Sequence, residues 1–192
     1  KILVENNVPY NEIKFLASAK SAGKKIEFKG EEHTIIEATP ESFEGVNIVL
    51  ASAGGSTSLK LAPEAVKRGC VFIDNSSAYR MDKDCPLVIV GVNDNDLKNH
   101  KGIIPNPNCS TSQLMLVLKP LHDYAKIKRM IVSTYQAVSG AGIAAINELK
   151  ENTVAVNEGK EFENVKFKKP IAYNVIPQID VFCENGYTKE EM

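Results

Sequence analysis

A cysteine at the junction of a loop and a helix is the residue of this chain best suited to covalent chemistry. Cys109 follows the proline-containing segment Pro105–Asn108 and precedes apolar residues spaced as on one face of a helix, from Leu114 to Leu121. The unpaired N–H groups and positive dipole end of a helix start favour a thiolate over a thiol. The sequence therefore predicts a nucleophile at Cys109. The alternative is a buried, inert cysteine beside an Asn or Ser cap.

An arginine closes a second polar loop, Asp74–Arg80, which is rich in amide and hydroxyl groups. A guanidinium binds a phosphate through two parallel hydrogen bonds, so Arg80 is a candidate phosphate ligand. The alternative is a surface ion pair with Asp82 or Asp84.

A third loop combines an amide with glycines. Gln136 ends a predicted strand, and Ser139-Gly140-Ala141-Gly142 follows it closely. An amide both donates to and accepts from a reacting carbonyl group, while glycines let the backbone approach a flat ring. The alternative is a strand-end glutamine followed by the turn that starts a helix.

Two further loops suit a dinucleotide. Ser18-Ala19-Lys20-Ser21 offers a cation with hydroxyls, which matches a ribose 2′-phosphate and favours NADP over NAD. Gly54 lies in the loop Ser52–Ser56, between a predicted strand and a helix. The alternatives are a solvated lysine in a serine-rich turn and an ordinary Gly-Gly turn. The glycine fingerprint for a pyrophosphate is not found in these 192 residues.

Strands and helices alternate along the first part of the chain, and the apolar run 46–51 is typical of a strand covered on both faces. This alternation predicts an α/β fold, a doubly wound, Rossmann-like parallel sheet, whose ligands gather at the carboxyl ends of the strands. All five polar loops follow predicted strands and are expected to converge there. The predicted strands are 13–17, 25–28, 34–37, 46–51, 71–73, 87–92 and 102–104, with helices at 57–67, ended by Gly69, and at 95–98.

The pattern changes after the Cys109 helix. Residues 130–137 predict a long strand, 142–156 a helix, and 172–179 a strand that Pro177 restricts to an edge or a bulge. A domain boundary is therefore expected near residues 108–112. It separates a partial dinucleotide-binding domain, 1–108, from part of an α+β domain, 109–192.

Composition narrows the function classes. A formal net charge of -1 offers no basic surface for nucleic acid. No apolar run approaches the roughly 18 residues that span a bilayer, and no signal peptide opens the chain. The four cysteines lack metal-ligand spacing and are interpreted as reduced thiols of a cytoplasmic protein. The three histidines form no H-x-x-x-H pair, so no metal site is expected.

Both ends of the chain resemble interrupted helices. Lys1–Asn7 is typical of the last turns of a helix, and Thr188–Met192 of a helix starting behind a threonine cap. We therefore expect flanking sequence to be missing.

A thiol nucleophile needs a base, and no histidine is suitably spaced. His122 lies 13 residues beyond Cys109, about 20 Å along the helix axis. It is expected to be a surface residue of the helix, and nothing in the local sequence recommends His33 or His100.

The motifs together resemble aspartate-semialdehyde dehydrogenases of the bacterial type, along essentially the whole chain. The resemblance implies an NADP-binding domain and a catalytic and dimerisation domain in a homodimer. The implied reaction converts L-aspartyl 4-phosphate and NADPH to aspartate semialdehyde, NADP and phosphate, for lysine, methionine and threonine biosynthesis. The segments that carry the resemblance are Ser52–Gly55, Asp74–Arg80, Asn106–Thr111, Ser133–Gly142 and Asn174–Asp180.

The resemblance also implies roles for individual residues. Cys109 would form a thioacyl enzyme, Gln136 would position the reacting carbonyl, and Arg80 with Asn108 would hold the phosphate. The cofactor contacts would be made by Lys20 and Ser21 at the 2′-phosphate and by Ser139 and Gly140 at the nicotinamide. The family's histidine base, its substrate-binding arginine and its glycine-rich phosphate loop match no position here. The 192-residue chain alone is therefore expected to be inactive.

Three alternatives stay open. N-acetyl-glutamyl-phosphate reductase and glyceraldehyde-3-phosphate dehydrogenase also reduce acyl phosphates through a cysteine. The first usually carries a glycine where this chain has Asn108, and the second has a different cysteine motif. The third alternative is a non-catalytic dinucleotide-binding or dimerisation module.

Overall fold

The computed structural model describes residues 2–192. The chain forms two compact units, Lys1–Met130 and Ile131–Met192. The predicted domain boundary at 108–112 stays a prediction. The helices are α1 (Ile2–Glu5), α2 (Gly55–Lys67), α3 (Cys109–Ala125) and α4 (Ile143–Asn157), and the strands are β1 (Leu16–Ala17), β2 (Lys25–Phe28), β3 (Glu31–Thr34), β4 (Ile36–Glu37), β5 (Ile48–Ala51), β6 (Val71–Asp74) and β7 (Ile103–Pro105).

The first unit contains a three-stranded parallel sheet in the order β5-β6-β7. The last residues of the three strands pair side by side, Ala51 with Asp74 and Asp74 with Pro105. Main-chain bonds continue one residue further, from Asn75 N–H to Ala51 and from Asn106 N–H to Asp74. The parallel sheet confirms the predicted fold class, and it aligns the starts of three polar loops.

Helix α2 covers one face of this sheet. Its residues Leu61, Ala62 and Ala65 are buried in the core of the first unit, together with Phe43, Cys70, Phe72 and Tyr79. The helix ends in a Schellman motif, in which Gly69 N–H donates to Val66 and Cys70 N–H to Ala65. Gly69 has a φ of +84°, as the predicted glycine C-cap requires.

A predicted hairpin in the first unit has a shifted register. Strand β2 pairs antiparallel with β3, so the turn consists of Lys29 and Gly30 alone. Both residues have positive φ, 56° and 79°, as a two-residue type I′ turn needs. The tight turn takes Glu31 into the hairpin, and Ile36–Glu37 pairs in parallel with β1 instead. The strand predicted at 13–17 is reduced to its last two residues, Leu16–Ala17.

The strand predicted at 87–92 is wrong. Asn93 accepts a hydrogen bond from Ile89 N–H at 2.8 Å and donates to the Leu87 carbonyl at 3.0 Å. Asp94 accepts from Gly91 N–H at 2.8 Å. These side chains take the main-chain groups that a neighbouring strand would have bonded, so the segment turns back on itself. A 3-10 helix follows at Asp94–Asn99, where a short helix was predicted.

The second unit is built on α4, which confirms the helix predicted at 142–156. The strands predicted at 130–137 and 172–179 are wrong, since neither segment pairs with another strand in the described residues. The side chains of Ile131 and Tyr135 are 80% and 89% exposed, so this segment is not packed against another element in the single chain. In the second segment, Tyr173 has a φ of 56°, which interrupts an extended strand.

The two chain ends differ from each other. Residues Ile2–Glu5 are helical, as predicted, while Lys1 lies outside the described residues. The helix predicted after Thr188 is wrong, because Thr188 forms an isolated bridge with Phe182. Glu191 nevertheless accepts from Thr188 N–H at 2.6 Å, which is the hydrogen bond of a capping box without its helix.

Candidate functional site

Three of the five polar loops begin at one edge of the parallel sheet. They are Ser52–Gly54, Asn75–Arg80 and Asn106–Asn108, and each follows one of the paired strand ends. This is the edge at which open α/β sheets bind their ligands. The predicted convergence is therefore seen for these three loops.

Cys109 is the first residue of α3, and its side chain is exposed. Asn108 caps the helix, since its side-chain oxygen accepts from the N–H groups of Ser110 at 2.9 Å and Thr111 at 3.4 Å. The thiol therefore lies at the positive end of a 17-residue helix and is open to a ligand. The structure excludes the alternative of a buried cysteine, and the nucleophilic role stays a prediction.

The Arg80 guanidinium is held by two loops. Its Nε donates to the Asn106 carbonyl at 2.9 Å, and its Nη2 donates to the Asn75 carbonyl at 3.3 Å. The alternative ion pair of Arg80 with Asp82 or Asp84 is not formed among residues 2–192, and Asp84 pairs with Lys101 at 2.7 Å. These bonds fix Arg80 to the segment that leads into Cys109.

Asp74 is hydrogen-bonded to both the Arg80 loop and the segment before Cys109. From the sequence it was predicted only as the first residue of the loop Asp74–Arg80. It is 0% exposed, and its Oδ1 accepts from Ser58 Oγ at 2.7 Å and from Ser76 N–H at 2.9 Å. Its Oδ2 accepts from Ser76 Oγ at 2.7 Å. A carboxylate at the end of a buried strand, followed by serines, was the only signal for this network.

The loop predicted to meet a 2′-phosphate forms a turn directly after β1. Ser21 N–H donates to the Ser18 carbonyl at 2.8 Å, and Ala22 N–H donates to the same oxygen at 3.1 Å. Lys20 is exposed in this turn, and its ammonium forms no ion pair within the described chain. A solvent-facing cation between two serines fits an anionic group.

Gly54 caps α2 with a φ of +87°, and its carbonyl accepts from Ser58 N–H at 3.1 Å. A side chain at this position would be strained, so the conformation itself requires glycine. The next residue, Gly55, lies against the loop of Arg80, because a Cβ built there would meet Ala78 Cβ at 3.9 Å.

Gln136, Ser139 and Gly140 belong to the second unit. Gln136 is exposed, and its Nε2 donates to Glu190 Oε1 at 3.3 Å. Ser139 and Gly140 lie in a 3-10 turn, Val138–Ala141, directly before α4. Gln136 follows no strand in this structure, since the segment before it is irregular.

Glu148 of α4 is a buried acid that the sequence did not single out. Its carboxylate accepts from the N–H groups of Val165 at 3.2 Å and Phe167 at 3.1 Å, and from Lys166 N–H between them. Burial opposes ionisation of Glu148, but the three N–H donors outweigh it and lower the pKa of its carboxyl. Glu148 thereby attaches the lysine-rich loop 159–169 to the helix.

None of the three histidines is hydrogen-bonded to Cys109 in the described part of the chain. His33 packs against Phe15 with ring centroids 5.2 Å apart, and His100 Nδ1 accepts from Gly102 N–H at 3.1 Å. His122 lies in the last turn of α3, at the opposite end from Cys109.

Residues 2–192 contain no cluster of acids, histidines or cysteines that could hold a metal ion. None of the helices in this part of the chain has the length and apolar character needed to cross a bilayer.

The parallel sheet, the loops gathered at its carboxyl edge and the exposed cysteine at a helix start define a Rossmann-like α/β protein with a candidate thiol nucleophile. The model of the semialdehyde dehydrogenase NAD binding domain matches residues 1–100, and that of the dimerisation domain matches residues 118–192. The chain belongs to the semialdehyde dehydrogenase family.

Individual relatives agree with this assignment. The chain is 55% identical to an aspartate-semialdehyde dehydrogenase of Aquifex aeolicus and 54% identical to one of Bacillus subtilis. All of this chain is covered in both comparisons, but only 57% and 58% of the relatives, so the chain spans little more than half their length.

Solved structures are also similar. Aspartate semialdehyde dehydrogenase II of Vibrio cholerae superposes with a TM-score of 0.95 at 45% identity, over 99% of this chain and 57% of that protein. The Candida albicans enzyme with NADP superposes with a TM-score of 0.51 at 27% identity, over 66% of this chain and 43% of that protein.

Proposed function

We propose that the native gene product containing this chain reduces L-aspartyl 4-phosphate to aspartate semialdehyde with NADPH, in lysine, methionine and threonine biosynthesis. The main structural support is the exposed thiol of Cys109 at a helix start, on a segment bonded to Arg80. The relatives named above support the substrate class, and a related Vibrio cholerae structure is complexed with aspartate semialdehyde.

The proposed first step is an acyl transfer to Cys109. Its thiolate attacks the carboxyl carbon of the acyl phosphate, a C–S bond forms, and the bond from that carbon to the phosphate oxygen breaks. Phosphate leaves with the electron pair of the broken bond. The N–H groups at the start of α3 stabilise the attacking thiolate.

Arg80 and Asn108 are proposed to hold the phosphate group. The main-chain bonds of Arg80 use Nε and Nη2, which orients the guanidinium as a fixed donor. Asn108 lies immediately before Cys109, so both ligands belong to segments that meet the sheet edge. Gln136 is proposed to orient the reacting carbonyl group through its exposed amide.

We propose NADP as the cofactor. Lys20 suits the 2′-phosphate through its exposed ammonium, with hydroxyls from Ser18 and Ser21, while a carboxylate there would favour NAD. Gly54 has no side chain, so the cofactor can come close to the backbone at the start of α2. When bound, NADPH supplies a hydride, which converts the thioester to the aldehyde and releases the Cys109 thiolate.

Ser139 and Gly140 are proposed to meet the nicotinamide end of the cofactor. Both lie in the turn before α4 and are exposed, and Gly140 has no side chain to obstruct a flat ring.

The native protein is proposed to be a homodimer that uses the second unit. Its match to a dimerisation domain supports this, as do apolar side chains that a single chain leaves exposed, among them Ile131 and Tyr135. A cytoplasmic location is proposed because the cysteines of the described chain are all free. Residues 1–108 are proposed as the NADP-binding part and 109–192 as the catalytic and dimerisation part.

The test uses the native gene product with aspartate semialdehyde, phosphate and NADP, followed by NADPH absorbance. We expect turnover that Cys109→Ala abolishes, and a mass increase of an aspartyl thioester on the peptide containing Cys109 when acyl phosphate is added without cofactor. Turnover with N-acetylglutamate semialdehyde or glyceraldehyde 3-phosphate, but not with aspartate semialdehyde, would contradict the proposal.

A further inference from the structure

Asp74 connects three segments at the sheet edge through its own atoms. Its side chain accepts from Ser58 of α2 and from both the N–H and the hydroxyl of Ser76 in the Arg80 loop. Its main-chain oxygen accepts from Asn106 N–H at 2.6 Å, three residues before Cys109. The fully buried carboxylate, bonded on both oxygens, therefore joins α2 to the loop 75–80, and the main-chain oxygen of the same residue holds the loop 106–108.

The two loops are also bonded directly to each other. Asn106 Nδ2 donates to Asn75 Oδ1 at 2.9 Å, and Arg80 donates to the main-chain oxygens of both asparagines. Arg80 is therefore positioned by two residues that depend on Asp74. Asn75 follows Asp74 in the sequence, and the Asn106 N–H is bonded to the Asp74 carbonyl. Movement of Asp74 changes the backbone that orients the Arg80 guanidinium.

A buried carboxylate retains its place only while donors satisfy it. The Ser76 hydroxyl donates to Asp74 and accepts from Ala78 N–H at 3.2 Å. This chain of hydrogen bonds fixes the backbone from Asp74 to Ala78, two residues before Arg80. Removing the carboxylate takes away the acceptor that now binds the Ser58 hydroxyl, the Ser76 hydroxyl and the Ser76 N–H. The loop is then free to choose other conformations.

We infer that Asp74 is a positioning residue, which holds the loops 75–80 and 106–108 in the one arrangement that aims Arg80 at a phosphate beside Cys109. This inference rests on the proposed function for its kinetic consequence. It predicts that Asp74 contributes to phosphate binding without touching the phosphate.

The test compares Asp74→Ala, Asp74→Asn and the milder Ser76→Ala in the native gene product, with Asp84→Asn as a control for loss of an acid at an exposed ion pair. For Asp74→Ala we expect the KM for phosphate to rise about 10-fold, while the KM for NADP changes by less than about 2-fold. Asp74→Asn retains an acceptor oxygen and is expected to recover most of the phosphate binding. Ser76→Ala removes the hydroxyl but keeps the main-chain N–H bond of residue 76 to Asp74, so its KM for phosphate is expected to lie between those of the two Asp74 variants.

Hydrogen exchange measured by mass spectrometry provides a readout that does not need activity. Faster exchange at 75–80 and 106–108 in Asp74→Ala, with the remaining segments unchanged, supports the inference even if wild type turns over no aspartate semialdehyde and the proposed function fails. Unchanged exchange at both loops overturns it. The inference is also overturned if Asp74→Ala raises the KM for phosphate and the KM for NADP alike and speeds exchange throughout the first unit, and if Asp74→Asn restores neither.

Discussion

Arg80 Nε donates to the main-chain oxygen of Asn106 at 2.9 Å, and Asn106 lies three residues before Cys109. The candidate phosphate ligand and the candidate nucleophile thus belong to segments joined by a direct hydrogen bond. The phosphate that leaves the carbon attacked by Cys109 would do so beside a fixed cation. This coupling is the strongest structural reason to assign both residues to one site.

Arg80→Lys in the native gene product is expected to raise the KM for phosphate about 10-fold, because an ammonium cannot make both main-chain bonds and face an anion as a planar donor. Steady-state kinetics in the direction that consumes phosphate measures the change. Arg68→Lys is the matched control, since Arg68 is a half-buried arginine that pairs with Glu64 at the end of α2. An unchanged KM for phosphate would remove Arg80 from the proposed site.

Cys109 is expected to react with iodoacetamide faster than the cysteines of the first unit's interior. Burial raises the pKa of the Cys70 thiol, and burial with the nearby Asp82 and Asp84 raises the pKa of the Cys85 thiol. Both thiols therefore hold less reactive thiolate at neutral pH, whereas Cys109 is exposed at a helix start.

Mass spectrometry of tryptic peptides from the native protein gives the labelling order. Labelling of Cys70 and Cys85 is expected to be at least about 10-fold slower than that of Cys109. Labelling in urea is the control, because unfolding should remove the difference. Equal rates under native conditions would favour the non-catalytic module.

The sequence predicted elements well where local signals and packing agree. The periodic apolar residues after Cys109 predicted the start of α3, and Gly69 predicted the end of α2. The structure has both helix ends. The parallel sheet was also predictable, since its strands are apolar and separated by helical segments. The loops at its edge follow from that topology alone.

Predictions failed where a side chain or a missing neighbour decided the outcome. Asn93 and Asp94 bond the backbone of residues 87–91, which no apolar pattern indicates. Residues 130–137 have strand composition, but a strand needs a partner, and Ile131 remains exposed in a single chain. The burial of Asp74 and Glu148 was not predicted, because an acid usually lies on the surface.

Glu148→Gln is expected to destabilise the second unit by about 1–3 kcal/mol, because the neutral amide has one acceptor oxygen for three N–H donors. The lowered pKa of Glu148 means that its contribution is present above the ordinary glutamate pKa and is lost as the pH falls through the lower folded value.

Thermal unfolding at neutral and acid pH, with hydrogen exchange at 165–167, measures this effect. The difference between wild type and Glu148→Gln should shrink as the pH falls. Glu151→Gln is the control, since Glu151 is an exposed acid on the same helix. A difference that does not depend on pH would show that the ionised carboxylate is not what holds the loop.

Gly102→Ala is expected to destabilise the first unit by about 2 kcal/mol or more, because an added Cβ would lie 2.7 Å from Val66 Cγ1. Gly102 also has a φ of +103°. The control Gly69→Ala shares a positive φ but has open space around its Cβ, so it should cost less. Chemical denaturation of Gly102→Ala with Val66→Ala should show partial recovery, and fully additive losses would contradict the contact.

The 192-residue chain alone is expected to show no detectable turnover, because none of its three histidines is hydrogen-bonded to Cys109 in the described residues. His33 packs among aromatic rings, His100 accepts from its own loop, and His122 lies at the far end of α3. The helix start favours the thiolate, but no histidine takes up the thiol proton, so general base catalysis worth roughly 100-fold or more is absent. NADPH absorbance with the isolated chain at high concentration measures this, alongside the native gene product as the positive control. NADP-dependent turnover by the isolated chain that disappears in Cys109→Ala would show that a group other than histidine accepts the proton.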